Sequence, residues 1–480
     1  MNTKRSVILM EFNELSPPLM HRFIREGELP NFQRLYRESQ VYVTDAQEQS
    51  PYLNPWIQWI TVHSGLPYSE HKIFHLGDGH KLQKKCLWDL VSAAGLKSWV
   101  CGAMNVRFDK PMNGWVLPDP WTVGATPYPE TLRPYFKFIQ TNVQEHTNDR
   151  VPLAPADYFK FLWFMLRHGL SFNTLVSIVK QLLSERVSKT HWKRAAILDK
   201  LQFDLFRSYY RKQRPNFSAF FLNSTAHFQH MHWREMEPEH FKIKPSDEER
   251  RRYKDAVLFG YQSMDGLLGR IYDLADENTT LIFATAFSQQ ACLAYEDQGG
   301  KSFYRPRDLE QFVKFSGVKT PFTVSAVMSE QFHIFFQNPH DAQQAFDLLK
   351  TLRVDGKQVL ELECKGSAVF TGCGIFESLS RDAILTIDAD GRTVPFFDIF
   401  YQVEGLKSGM HHPEGMLWIR HPNRSHQIHD QKVPLTDIAP TVLSILGVPK
   451  PGYMHGAPLQ DGVVREAQTA EMVPEVARRA

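Results

Sequence analysis

The chain predicts an α/β fold: a doubly wound, mostly parallel sheet sandwiched by helices, with a helical insertion and a small α+β insertion. Three observations carry that expectation. Short β-like runs alternate with helix-period segments along most of the chain, the pattern of a parallel sheet covered on both faces. At 480 residues with 42% apolar content, the chain can bury one large core. Polar residues cluster just after several of the β-like runs, where open sheets of this kind gather their ligands.

In chain order, residues 7–10, 98–102, 217–222 and 280–284 are predicted strands, each next to an amphipathic helical segment. Glu11 to Glu14, Asn223 to His232 and Thr285 to Gln290 follow three of them, so three separate segments are expected to converge on one pocket. Residues 156–211 read as a helical insertion with an apolar stripe (Phe159, Leu162, Met165, Leu170) and a basic patch (Lys180, Arg186, Lys189, Lys193, Arg194). The patch is read as a solvated helix face ahead of polyanion binding or peripheral membrane contact. Residues 321–376 read as the α+β insertion, with a strand at 332–336, a helix at 341–352 and a turn at Asp355-Gly356. A last helix at 437–446 is capped by Gly447 and closed by Pro449. The domain is expected to span 1–460, insertions included, with 461–480 as a tail.

A formal net charge of +2 argues against nucleic acid as a principal partner. Five cysteines, scattered and without C-x-x-C spacing, suggest neither a disulfide framework nor a zinc finger and favour a reducing compartment. The apolar run at 7–10 is too short for a signal peptide, and no tract approaches a membrane span. A cytoplasmic location is the expectation.

The chemistry is carried by motifs. GMHHPEGMLWIRHP (409–422), followed by PLTDIAPTVLSILGVPKPGYMHGAPL, resembles the closing signature of the alkaline-phosphatase superfamily, in its type I phosphodiesterase/nucleotide-pyrophosphatase branch. Five further segments resemble that branch in its own order. They are VILMEFNELSPPLMHRFIREGELPNFQRL, PWIQWITVHSGLPYSEHKIF, LWDLVSAAGLKSWVCGAMN with NGWVLPDPW, FLNSTAHFQHMHWRE, and YQSMDGLLGRIYDLADENTTLIFATAFSQQ. The resemblance implies two divalent metals, usually zinc, held by carboxylates and imidazoles around a Thr or Ser nucleophile.

The sequence departs from that pattern where the metals should sit. His230 and His411 fall on two ligands of one implied metal, but Ala226 stands where its Asp belongs. For the other metal, Asn13 replaces the opening Asp, and Ala286 and Phe287 replace an Asp-His pair. The nucleophile position falls on Pro55 or Asn54, and Thr61 and Ser64 read as ordinary helix residues. Alanine and phenylalanine offer no donor atom, so the metal site is divergent and holds at most one ion, zinc by its donors, or none.

The catalytic candidates are therefore Glu14, Glu11, Asn13, His227, His230 and His411, with Glu14 slightly ahead of Glu11. His63, Gln58 and Ser288 are candidates for substrate contact, although for His63, as for His71, His75 and His232, a structural role is the first reading. Three functions remain open. One is an enzyme with at most one metal on His230 and His411, completed by Glu11, Glu14 or His227, acting on a phosphate ester, phosphodiester or nucleotide-activated substrate. Another is a metal-independent transferase, for example glycosyl transfer in polysaccharide biosynthesis. The third is a non-catalytic glycan- or nucleotide-binding protein.

Overall fold

The computed structural model describes residues 5–122, 124–148, 154–188, 190–327, 330–388, 391–403 and 405–459. Lys189 of the basic patch and the 461–480 tail lie outside the described residues.

Six strands come early: β1 (Ser6–Phe12), β2 (Gln40–Asp45), β3 (Ser98–Ala103), β4 (Gly114–Pro118), β5 (Phe217–Leu222) and β6 (Thr279–Ala284). Three later ones are β7 (Ser288–Ala291), β8 (Gly409–His412) and β9 (Glu414–Arg420). The main sheet runs β2-β9-β6-β1-β5-β3-β4, with two very short strands beside β2. Neighbours in the run from β6 to β4 are parallel, while β9 is antiparallel to both β2 and β6. β7 and β8 form a separate antiparallel ribbon.

Strand alternation sorts side chains into two cores, one per face. Ile8, Met10 and Phe12 enter one core and Val7 and Leu9 the other; in β5, Phe220 and Leu222 oppose Phe217, Ala219 and Phe221 in the same way. The helices Pro17–Arg25, Pro30–Arg37, Arg194–Gln213 and Ala256–Tyr272 cover the first face, and Pro55–Ser64, Leu87–Ala93 and Ile438–Leu446 cover the second. Several of these helices begin on proline, whose missing N–H costs nothing in the first turn. The architecture is thus doubly wound α/β.

The 156–211 segment holds the helices Pro155–Arg167 and Phe172–Val187 and most of Arg194–Gln213. The apolar stripe expected there is split: Met165 is buried, while Phe159 and Leu162 face solvent. A third core gathers residues between Tyr304 and Phe400 beneath small antiparallel sheets. Its helix Pro339–Leu349 stops short of the expected 352, because Leu352–Val354 pairs as a strand with Ile384–Ile387 and buries Leu352 and Val354 on alternate positions.

Candidate functional site

β1 is flanked by β5 and β6, so its carboxyl end emerges between the ends of both neighbours. The strand stops at Phe12, and the chain turns at once: Asn13 N–H donates to the Leu222 carbonyl at 2.9 Å, and Glu14 takes a left-handed φ of 61°. A non-glycine residue there is strained by roughly 1 kcal/mol and needs support. The support is local. Glu14 N–H reaches the Thr285 carbonyl at 3.3 Å, and the Glu14 carbonyl accepts from Gln229 Nε2 at 2.7 Å. Ala286, in the opposing β6–β7 turn, is also left-handed at φ 59°.

His230 lies on the helix Ser224–Met236, four residues beyond Ala226 and on the same face. His411 lies on β8, directly across the ladder from Gln289 of β7. The G-x-H-x-x-x-G spacing has a steric cause at both glycines. A Cβ on Gly409 would stand 2.5 Å from the Gln229 carbonyl oxygen, and one on Gly415 would stand 2.8 Å from the Ala286 carbonyl oxygen. Only glycine lets the 409–415 segment close this tightly over the helix and the turn.

These elements bring three of the expected residues together. Glu14 Oε2 lies 3.1 Å from His230 Nε2 and 3.3 Å from His411 Nε2, and the three atoms all lie within 4.8 Å of one another. Each imidazole is fixed from behind: His230 Nδ1 donates to the Gly409 carbonyl at 2.9 Å and His411 Nδ1 to the Leu53 carbonyl at 2.7 Å. A carbonyl only accepts, so both Nδ1 atoms carry hydrogen and each Nε2 is the ring atom turned toward the carboxylate. Burial raises the Glu14 pKa, but the His411 charge and hydrogen bonds from His230 and His411 outweigh it and hold the carboxyl well below its usual range. Burial lowers the His230 pKa to about 4, against the pull of Glu14. A buried carboxylate oxygen and two imidazole Nε2 atoms thus converge on one point, an arrangement that a cation would complete.

The rest of Glu14 is held by Asn13, itself one of the expected residues, and by Gln289, which the sequence does not single out. Gln289 Nε2 donates to Oε2 at 2.6 Å, and Asn13 Nδ2 donates to Oε1 at 2.7 Å and to Asn223 Oδ1 at 2.8 Å. Trp59 Nε1 donates to Asn13 Oδ1 at 2.8 Å. Gln289 was reachable from sequence only by knowing that β7 pairs with β8 in this register.

The other candidates lie elsewhere. Glu11 stays on the strand, fully buried, and pairs with His63 Nε2 at 2.8 Å between the rings of Trp59 and Trp88. Gln58 donates to the Tyr52 carbonyl, and Ser288 is buried on β7. His227 is on the helix with His230 but outside the Glu14 group. In the expected nucleophile segment, Pro55 opens the helix, Asn54 Nδ2 donates to the Pro51 carbonyl, Ser64 bonds the Ile60 carbonyl and Thr61 meets His71.

Among the described residues, Glu14, His230 and His411 form the one group with three donor atoms close enough to hold a metal ion. A carboxylate and two imidazoles oriented by backbone carbonyls form a donor set of the kind zinc takes in open sites. At the second implied position the Asn13 amide is spent on Trp59, Glu14 and Asn223, and the Phe287 ring packs edge-on against His411 at 5.0 Å. Beside the group, Lys407 is close enough for its charge to act on both Glu14 and His230. Its backbone N–H bonds the Lys301 carbonyl at 2.8 Å, and burial, then the Lys301 charge, lower its pKa. Lys301 Nζ sits 4.0 Å over the Phe376 ring.

Neither a protein-family model nor a curated protein sequence matches the chain. Among solved structures it is similar to the wild-type alkaline phosphatase PafA, at 12% identity and a TM-score of 0.45 over 96% of this chain and 99% of that one. It is also similar to a phosphonoacetate hydrolase from Sinorhizobium meliloti 1021 with bound phosphonoacetate, at 10% identity and a TM-score of 0.38 over 93% and 96%. Human ectonucleotide pyrophosphatase / phosphodiesterase 5 is a third, at 11% identity and a TM-score of 0.39 over 94% of this chain and 97% of that one.

Proposed function

We propose that the protein is a single-metal enzyme acting on a small phosphate ester, phosphodiester or nucleotide-activated substrate. The convergence of Glu14 Oε2 with the two Nε2 atoms of His230 and His411 carries this reading. A divalent ion held there would supply Lewis acidity to a phosphoryl oxygen. Gln289 and Asn13 would keep the Glu14 carboxylate aimed at it, and the backbone carbonyls of Gly409 and Leu53 would keep both imidazoles in the ligating tautomer. Lys407 and Lys301 form no ion pair among the described residues, which leaves their charge available to the remaining phosphoryl oxygens.

In the helix that Pro55 opens, the hydroxyls of Thr61 and Ser64 are already bonded inside the fold. Transfer would then be one direct displacement: the oxygen of water or an acceptor alcohol bonds to phosphorus and its proton is lost to solvent or to the leaving oxygen, which departs with the electron pair of the broken P–O bond, and no covalent enzyme intermediate forms. The loss of the second metal position to Ala286 and Phe287 supports a second reading, a metal-independent transferase in which Glu14 is the general base, as polysaccharide glycosyl transfer would need.

The test is turnover of an aryl phosphate monoester, an aryl phosphodiester and a nucleoside-diphosphate sugar by protein purified without chelator. Turnover of any one, without a pre-steady-state burst and lost on metal removal, is expected. Turnover that survives metal removal gives the ground to the transferase. No turnover of all three, with metal bound, overturns the enzyme reading for these substrate classes.

A further inference from the structure

We propose that the helices Pro155–Arg167 and Phe172–Val187 form a platform that rests on a membrane surface containing anionic lipid. Most of the large exposed apolar side chains among the described residues fall in these two helices. Phe159 is 73% exposed, Trp163 58%, Leu166 57%, Phe172 77% and Val187 92%. Scattered exposed leucines need no explanation, but a concentration on two neighbouring helices marks a contact surface.

The exposure is built in, not a loose end. In the first helix Phe159, Trp163 and Leu166 recur at helical spacing, while Phe161, Phe164 and Met165 face the core. The turn between the helices is tied to Arg194–Gln213: Arg207 Nη2 donates to the Gly169 carbonyl at 2.9 Å, and Ser171 N–H donates to Asp204 Oδ2 at 2.8 Å. Both helices therefore have a satisfied inner side and an apolar outer one.

Charge selects the partner. Lys160, Arg167, Lys180 and Arg186 are exposed on the same helices, and none is in an ion pair among the described residues. The two carboxylates present are occupied, Asp157 by the Ala154 N–H and Glu185 by Arg194. Arg167 also lies 4.4 Å over the Trp163 ring, joining a cation to the apolar face. Aromatic and aliphatic side chains rimmed by unpaired cations suit an anionic lipid interface. A second copy of the chain would bring like charges together. No helix among the described residues is long and apolar enough to cross a membrane, so the contact is with its surface.

Co-sedimentation of the full chain with vesicles of zwitterionic lipid, alone or with about one-third anionic lipid, tests this directly. Binding to the anionic vesicles, weakened by salt, is expected, and Phe159→Ser/Trp163→Ser/Phe172→Ser should reduce it by about tenfold or more. If that variant does not fold, Lys160→Glu/Arg167→Glu/Lys180→Glu/Arg186→Glu, which leaves the apolar residues in place, should abolish the preference for anionic lipid. Failure of the unmodified chain to sediment with anionic vesicles overturns the proposal. So does binding that neither variant alters, or a dimer in solution that the serine variant splits while vesicle binding is absent.

Discussion

At the scale of single residues, the site turns on which glutamate leaves the strand. Glu11 and Glu14 were both legible as candidates, but their roles were not, since a left-handed turn after Phe12 breaks the strand parity that sequence can supply. Asn13 is the clearest probe. Its amide donates to Glu14 and Asn223 and accepts from Trp59, so Asn13→Asp would set a second buried carboxylate against Glu14 Oε1 without a donor between them. A loss of about 2–3 kcal/mol is expected in urea unfolding near neutral pH, and unchanged stability would show the network to be unimportant. His230→Ala and His411→Ala should behave differently. Each is expected to lower turnover by about 100-fold or more while shifting the melting temperature little, because both rings are partly exposed and neither fills a core. Loss of thermal stability with specific activity retained would mark both as structural.

At the scale of elements, β3, β5, β6 and most of β1 were readable because strands buried on both faces are written as apolar runs. Distant pairing was not readable: the contact of Gln289 with Glu14 depends on residues far away in the chain, whereas the strand at Leu352–Val354 has a local partner, Lys357–Gln358, across the Asp355-Gly356 turn. The closing motif belongs to this scale as well, because its glycines set how closely the 409–415 segment packs. Gly409→Ala should cost about 1–3 kcal/mol and displace His411, as its Cβ would strike the backbone of Gln229 and the Gln289 side chain. Gly356→Ala, where nothing lies within 4 Å but φ is 76°, separates the cost of a left-handed backbone from that of a clash. Similar losses at both glycines, with His411 function intact, would rule out the packing explanation.

For the whole molecule, burial should make the fold acid-labile over a defined window. His71 and His333 are both pushed down to about 4 by burial, with Lys72 and His75 respectively adding to the shift. Between about pH 6.5 and 4 the unfolded chain binds protons that these rings refuse, so stability rises with pH across that window and is lost as pH falls through it. Each ring is expected to contribute roughly 1–2 kcal/mol of that loss between about pH 7 and 5, and His71→Gln should flatten the slope in urea titrations. A slope unchanged by the substitution would remove His71 from the account. The central claim is that one cation, not two, completes the group formed by Glu14, His230 and His411. Elemental analysis of protein purified without chelator and then equilibrated with zinc should find about one equivalent per chain in the unmodified protein, and close to none in Glu14→Gln, His230→Ala and His411→Ala. Two equivalents, or one that persists in all three variants, would contradict it.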